Sequence, residues 1–332
     1  MNSMMKQGVG ILGIGSALPP RIVTNFDLEM MVDTTDEWIR TRTGISERRV
    51  ADEGVTTSDL AAQAALAALH DAGTGVEEID LIVVATVSPD APFPATACYT
   101  QAKLGAKQAA AFDINAGCTG FVYALAVGSQ FVSSGIYKKV LVIGVEILSR
   151  FLDWNDRSTC VLFGDGAGAV VLGPVPDGQG LLNFRLGADG TLGDLLAIPA
   201  GGAKMPATVE TVQNRQHYIK MLSGNETFKF AVRVMGEVTI QALDDIGLTK
   251  NDLDFLIPHQ ANWRIIEAAR KRLDLPEDRV VVNIDRYGNM SAASVPVAME
   301  EAVRSGRLKR GDLTALVAFG AGLTYGAAIL RY

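Results

Sequence analysis

The stretch Ala68-Leu69-His70-Asp71-Ala72-Gly73 returns later in the chain as Ala242-Leu243-Asp244-Asp245-Ile246-Gly247, an offset of 174 residues (242 − 68). At the same offset Ile79-Asp80-Leu81-Ile82 meets Leu253-Asp254-Phe255-Leu256. Further on, Val132-Ser133-Ser134-Gly135 meets Val303-Arg304-Ser305-Gly306 at 171 (303 − 132). The Ala-Leu-x-x-x-Gly and Ser-Gly endings alone are ordinary helix stops, a glycine after an apolar run. Matched pieces in one order and at nearly one spacing read instead as a duplicated α/β unit, since solenoid repeats are far shorter. Outward from these pieces, apolar strands alternate with helical patterns, the signature of an α/β fold. Helical spacing marks Thr57–Ala72, Thr119–Ser134, Glu226–Ile246, Ala261–Leu273 and Val295–Ser305. Strands are expected at Gly8–Ile14, Leu81–Ala85, Ala110–Ile114, Val140–Val145, Ala169–Leu172, Phe255–Pro258, Val280–Asn283, Ala315–Phe319 and Ala327–Leu330. The Pro/Gly-rich run from Pro174 to Gly180 is the expected seam, dividing the chain into halves 1–178 and 179–332.

Composition narrows the function classes. With 332 residues, 48% of them hydrophobic and 20% charged, the chain can bury a sizeable core and reads as a soluble globular protein. A net charge of −7 argues against nucleic acid, whose phosphates need a basic surface. Three irregularly spaced cysteines, Cys98, Cys118 and Cys160, offer neither a disulfide framework nor a CxxC pair, which suits a reduced, cytoplasmic setting. Met1–Pro20 imitates a signal peptide, with Lys6 ahead of an apolar run from Val9 to Leu18. Its glycines Gly10, Gly13 and Gly15 favour a buried first strand, and no segment has the apolar length of a membrane span. Gly8-x-Gly10-x-x-Gly13 spells a dinucleotide fingerprint, but Pro19-Pro20 follows where a helix should begin. Phe163-Gly164-Asp165-Gly166-Ala167-Gly168 reads as a tight turn before a buried strand. Neither a G-x-S-x-G elbow nor a metal-binding Cys/His spacing occurs, so no metal is expected.

The candidate chemistry lies in a few residues. In Phe112-Asp113-Ile114-Asn115-Ala116-Gly117-Cys118-Thr119-Gly120-Phe121, a thiol stands between two glycines where a strand gives way to a helix. A helix start carries roughly half a positive charge and free N–H donors, which favour a thiolate and can hold a developing oxyanion. Glycines on both sides would let a substrate approach the sulfur. Cys118 therefore reads either as a nucleophile or as a small buried hydrophobe, and Cys98 and Cys160 read as the latter. His259 follows the apolar run Leu253–Pro258, while His70 and His217 look like ordinary solvated or capping residues. Asn289 in Tyr287-Gly288-Asn289-Met290-Ser291 is either a turn residue or a neutral donor beside His259. The repeat sets Asn289 opposite Cys118 and His259 opposite Ala85, at equivalent ends of related elements.

Cys118 in AGCTGF, His259 in PHQANWRI and Asn289 in YGNMSAASVP, in that order, resemble β-ketoacyl-[acyl-carrier-protein] synthase III, a condensing enzyme of the thiolase superfamily. The resemblance runs from Gly13 to the C-terminus and takes in DEWIRTRTGI, FGDGAGAVVL and AFGAGLTYG. It implies a thiolase-like α/β fold whose duplicated halves form a five-layer αβαβα arrangement. It also implies that Cys118 accepts an acyl group from acyl-CoA, and that His259 and Asn289 stabilise the enolate formed when malonyl-acyl-carrier protein loses CO2. The oxyanion donors carried over are the backbone N–H groups of Cys118 and Ala321; many relatives have glycine at the latter position, and alanine there narrows the pocket. Trp38 and Arg157 would sandwich the adenine of CoA, Arg42 would meet its phosphates, and Thr34, Gly224, Phe228 and Asn262 would line the pantetheine channel. Phe93 would reach across a homodimer to close the acyl pocket, with Phe319 near the thiol, favouring a short primer such as acetyl. Arg264 and Lys271 would dock the acidic carrier protein. The CoA thioester is a substrate, and no separate cofactor is implied.

A thiolase would need a second cysteine in Gly320-Ala321-Gly322-Leu323, and elongating ketosynthases have histidine where Asn289 stands. The remaining alternatives are a relative in secondary metabolism, either an acyltransferase or a quinolone- or polyketide-type condensing enzyme, and a non-catalytic acyl-binding module. The last would be expected to lose one of the three residues.

Overall fold

The computed structural model describes residues 7–332, so Lys6 at the head of the first apolar run lies outside the described residues. Two sheets carry the fold. The first is made of β1 (Gly8–Ala17), β2 (Leu81–Ala85), β3 (Ala110–Ile114), β4 (Val140–Ile147) and β5 (Asp165–Val175), in the order β1-β5-β4-β2-β3. The second is made of β6 (Gly180–Ala188), β7 (Phe255–Pro258), β8 (Leu313–Gly320) and β9 (Thr324–Arg331), in the order β6-β9-β8-β7. In the first sheet β3, β2 and β4 run parallel, and β5 runs antiparallel to both of its neighbours, β4 and β1. In the second, β7 and β8 are parallel and β9 runs antiparallel to both of its neighbours, β8 and β6, the same pattern strand for strand. The duplication legible in the chain is thus a duplication of topology.

One strand of that pattern is cut short. The segment expected at Val280–Asn283 makes a single parallel bridge, Leu256 with Val280, at the position β3 holds in the first sheet. The side chain of Gln260 explains the loss: its Nε2 donates to the Val281 carbonyl at 3.1 Å and its Oε1 accepts from the Asn283 N–H at 3.0 Å, taking the groups a ladder would use. Conversely β6 escaped the sequence reading, because its half-exposed run Gly180–Ala188 lacks an apolar core pattern.

The longer helices among the described residues are α1 (Asp36–Thr43), α2 (Thr57–Ala72), α3 (Thr96–Leu104), α4 (Gly120–Ser133), α5 (Gly224–Asp244), α6 (Trp263–Arg272) and α7 (Ser294–Arg304). The repeated pieces end α2 and α5, which form the outer layers: α2 covers β1, β5 and β4, and α5 covers β9, β8 and β6. Between the sheets lie α4, against β4, β2 and β9, and α7, against β5, β1 and β7. The result is the five-layer αβαβα arrangement that the resemblance implies. Because α4 touches both sheets it buries Phe121, Val122, Ala124 and Leu125 on successive faces, so its apolar residues run nearly all round it. Cys160 is buried as expected, but Cys98 is exposed: α3 turns Thr96, Ala97, Thr100 and Leu104 inward and leaves Cys98 on its outer side. No helix among the described residues is long and apolar enough to cross a membrane.

Candidate active site

Beyond β3 the chain passes Ala116 and makes one 3-10 turn, Gly117–Thr119, before α4 begins, and this turn carries Cys118, buried at 7% exposure. Gly117 has φ +56°, and a Cβ there would lie 2.7 Å from the Ala321 carbonyl oxygen. A Cβ on Gly320 would lie 2.5 Å from the Cys118 nitrogen, and one on Gly120 would lie 3.1 Å from the Ala85 Cβ. The space the flanking glycines leave is therefore filled by the protein itself, not left for substrate as the sequence reading expects. Thr324 Oγ1 donates to the Ala116 carbonyl at 2.7 Å and pins the two turns together. In this packing the backbone N–H groups of Ala321 and Cys118 both act on the Cys118 sulfur. Burial nevertheless pushes the thiol up to about 11; the Ser291 hydroxyl and the two N–H groups work against that rise, and the charge of Glu146 adds to it. The resting sulfur is a thiol, opposite to the thiolate expected at a helix start.

His259 follows β7 and is fixed by its own N–H, which donates to the Val317 carbonyl of β8 at 2.7 Å. Its ring is fully buried, both nitrogens lack a partner, and it meets Phe319 edge-on with centroids 5.8 Å apart. Burial pulls its pKa down to about 3, so the imidazole is neutral. Asn289 precedes the 3-10 turn Ser291–Ala293 that leads into α7, just as Cys118 occupies the turn before α4. Its Oδ1 accepts the Ser291 N–H at 2.8 Å, and its Nδ2 donates to nothing among the described residues. The amide is thereby oriented with its donor free.

Two cavities meet at Cys118. One, of about 220 Å³, is bordered by Cys118, His259 and Asn289 together with Arg42, Gly224, Phe228, Asn262 and Phe319. The other, of about 330 Å³, is mostly apolar and is bordered by Val87, Leu148, Phe163, Leu196, Ile198 and Ile219, with Ser291 and Ala321 beside Cys118. Phe319 thus lines the first cavity, turned toward His259, and not the second. Phe93 is 86% exposed and lines neither cavity within its own chain. Asn262 caps α6 and donates from Nδ2 to the Arg42 carbonyl at 2.9 Å, joining α1 to α6 at the channel wall. Trp38, one turn before Arg42 on α1, has the Arg157 guanidinium over its ring at 5.0 Å, and Arg157 also donates to the Asp33 carbonyl. Thr34, nearby, holds a buried Oγ1 without a partner. Arg264 is exposed and stacks over Phe228 at 5.4 Å, whereas Lys271, at the far end of α6, pairs with Glu267 at 3.3 Å.

Sequence reasoning missed two polar residues at this site. Glu146 is fully buried on β4 and Ser291 is 1% exposed at φ +44°. A lone carboxylate in the apolar run Val140-Leu141-Val142-Ile143-Gly144-Val145-Glu146-Ile147 was the available signal for the first. Ile198 and Ile219 had none, since they reach the cavity from an irregular region around the short ribbon Leu196–Ala197 and Lys220–Met221.

Two family models match the chain: 3-oxoacyl-[acyl-carrier-protein (ACP)] synthase III over residues 112–190, and its C-terminal counterpart over residues 243–332. The chain is 59% identical over 327 residues to the β-ketoacyl-[acyl-carrier-protein] synthase III of Caldanaerobacter subterraneus subsp. tengcongensis, covering 98% of each. It is also similar to the crystal structure of 3-oxoacyl-[acyl-carrier-protein] synthase III from Aquifex aeolicus VF5, with TM-score 0.90, 50% identity, and 98% of this chain and 100% of that one covered. The priming β-ketosynthase from the R1128 polyketide biosynthetic pathway is as near in shape, with TM-score 0.91 over 99% of this chain and 98% of that one, but only 36% identical.

Proposed function

The chain belongs to the β-ketoacyl-[acyl-carrier-protein] synthase III family, and from that premise we propose which of its residues carry the reaction and on which substrates. As a member it is a condensing acyltransferase of the step that starts fatty-acid synthesis. In the proposed reaction the Cys118 sulfur attacks the thioester carbonyl of acyl-CoA, the carbonyl oxygen turns toward the N–H groups of Cys118 and Ala321, and CoA leaves. Malonyl-acyl-carrier protein then enters the same channel. As it loses CO2, His259 and Asn289 donate to the thioester enolate oxygen. The enolate carbon attacks the acyl-cysteine to give 3-ketoacyl-carrier protein. Two neutral donors suit this step, because decarboxylation generates the carbanion without any base.

What carries the reading is the convergence of Cys118, His259 and Asn289, from three separate elements, on one cavity. The neutral imidazole and the oriented amide of Asn289 have the protonation and geometry the enolate needs. The cavity beside Cys118, closed off at about 330 Å³ by Leu148, Phe163, Ile198 and Ile219, favours a short primer such as acetyl. CoA would enter past Arg42, Thr34, Gly224, Phe228 and Asn262, and its adenine would part Trp38 from Arg157, which now touch. Arg264 at the channel mouth is the stronger docking contact for the carrier protein, since Lys271 is occupied by Glu267. The open edge of β3 and the bare ring of Phe93 favour a homodimer across that edge, with Phe93 of the partner subunit closing the acyl cavity. A cytoplasmic setting fits the reduced cysteines.

Labelled acetyl-CoA should acylate the wild-type protein and leave Cys118→Ala unlabelled; undiminished labelling of the variant overturns the assignment. Condensation should run faster with malonyl-carrier protein than with malonyl-CoA. Equal rates would favour a role in secondary metabolism, nearer that of the polyketide priming enzyme.

A further inference from the structure

Acylation of Cys118 leaves one proton without a destination. The resting sulfur is a thiol, and His259, the nearest imidazole, is a poor acceptor because burial holds its pKa at about 3. On the other side of Cys118, bordering the acyl cavity, stands Ser291. Its Oγ is buried and completes no hydrogen bond, although it adjoins both the Cys118 thiol and the Glu146 carboxylate. The residue is held in the left-handed region at φ +44°, where serine is rare and strain marks function more often than chance. Two contacts keep it there: the Ser291 N–H donates to Asn289 Oδ1, and the next N–H, of Ala292, donates to Glu146 at 3.4 Å.

Glu146 is fully buried and, among the described residues, pairs with no lysine or arginine. From the loop after β2 it is faced by the hydroxyls of Thr86 and Ser88 and the N–H groups of Val87 and Ser88. From the turn before α7 it is faced by the Ala292 N–H and the Ser291 hydroxyl, and from the turn before α4 by Cys118, the one titratable group of the set. Burial pushes this carboxyl up to about 7, so it can exchange a proton at neutral pH.

We propose that Ser291 and Glu146 form a proton relay for the acylation of Cys118, an inference that rests on Cys118 being the acyl acceptor. As the sulfur–acyl bond forms, the thiol proton passes to Ser291 Oγ while the Ser291 hydroxyl proton passes to the Glu146 carboxylate. As the acyl–CoA sulfur bond breaks, the relay runs backward and the proton ends on the departing CoA thiolate. No other reactant is consumed, and Glu146 and Ser291 return to their starting states.

The test is single-turnover acylation by labelled acetyl-CoA over a pH series, for wild type, Ser291→Ala, Ser291→Gly and Glu146→Gln. Wild type should gain rate through an ionisation near 7. All three variants should lose that ionisation and acylate about a hundredfold or more slowly. Ser291→Gly relieves the left-handed backbone, so a loss shared with Ser291→Ala belongs to the hydroxyl. Variants that keep the wild-type rate and pH profile, or a slowed Glu146→Gln that keeps the ionisation, overturn the relay. If Glu146→Gln does not fold, the two Ser291 variants decide. A wild type that takes no label, or a Cys118→Ala that does, overturns instead the reading of Cys118 on which the relay rests.

Discussion

At the scale of single residues, the side chains of this site are selected by which hydrogen-bonding groups they leave free. Asn289 spends its acceptor on the Ser291 N–H and keeps its donor for the cavity. Asn289→Asp keeps the acceptor and removes the donor, and it sets a negative charge where the proposed reaction forms the enolate oxygen. Release of CO2 from malonyl-carrier protein should fall by about 10²–10³-fold, while acetyl labelling of Cys118 persists. A variant that decarboxylates normally would remove Asn289 from the enolate step. His259 and Asn289 were legible because each stands beside a motif. Ser291 was not, because the significance of a serine hydroxyl lies in what it faces, and its neighbours Cys118 and Glu146 come from distant parts of the chain.

At the scale of elements, the site is built at the starts of two equivalent helices. The turns Gly117–Thr119 and Ser291–Ala293 lead into α4 and α7, and β8 delivers Gly320 and Ala321 against the first of them. Gly320→Ala tests that contact. Its methyl would fall 2.5 Å from the Cys118 nitrogen, so one of the two turns must shift. Stability should fall by about 1–3 kcal/mol, read by denaturant midpoint, because the space is already filled. Acylation should fall further than stability accounts for, by about a hundredfold, as the two N–H groups lose their common aim. An unchanged acylation rate would separate the contact from catalysis. Apolar periodicity placed most strands and the five long helices to within a few residues. It misjudged Val280–Asn283, where one glutamine side chain replaces a neighbouring strand.

At the scale of the whole molecule, burying the site between two sheets ties catalysis to stability. His259 titrates near 6.5 in the unfolded chain but at about 3 in the fold. The unfolded chain therefore binds the proton first, and this group's contribution is complete above pH 6.5 and is lost as the pH falls toward 3. Between pH 6.5 and about 5 the loss amounts to about 2 kcal/mol. Glu146 has the opposite sign: its folded pKa of about 7 exceeds its ordinary 4.5, so its contribution is complete below 4.5 and is lost as the pH rises through 7. Urea unfolding at both pH values should show that His259→Asn loses about 2 kcal/mol less on acidification than wild type. An equal acid loss would mean that the ring charges without cost in the folded protein.

Most of the strands and the long helices, the doubled α/β unit and, through the resemblance, the three residues at its strand and helix junctions were legible in the sequence alone. Local periodicity and short motifs are properties of neighbouring residues, and the repeat carries the topology with it. The tertiary structure alone decided the charge states of Cys118, His259 and Glu146, because desolvation is set by everything packed around a group, not by the helix or strand that bears it. It also decided that the glycines beside Cys118 admit the backbone of Ala321 and the side chain of Ala85, and that Ile198 and Ile219 wall the cavity beside Cys118. Those contacts join residues far apart in the chain, and no spacing along the sequence records them.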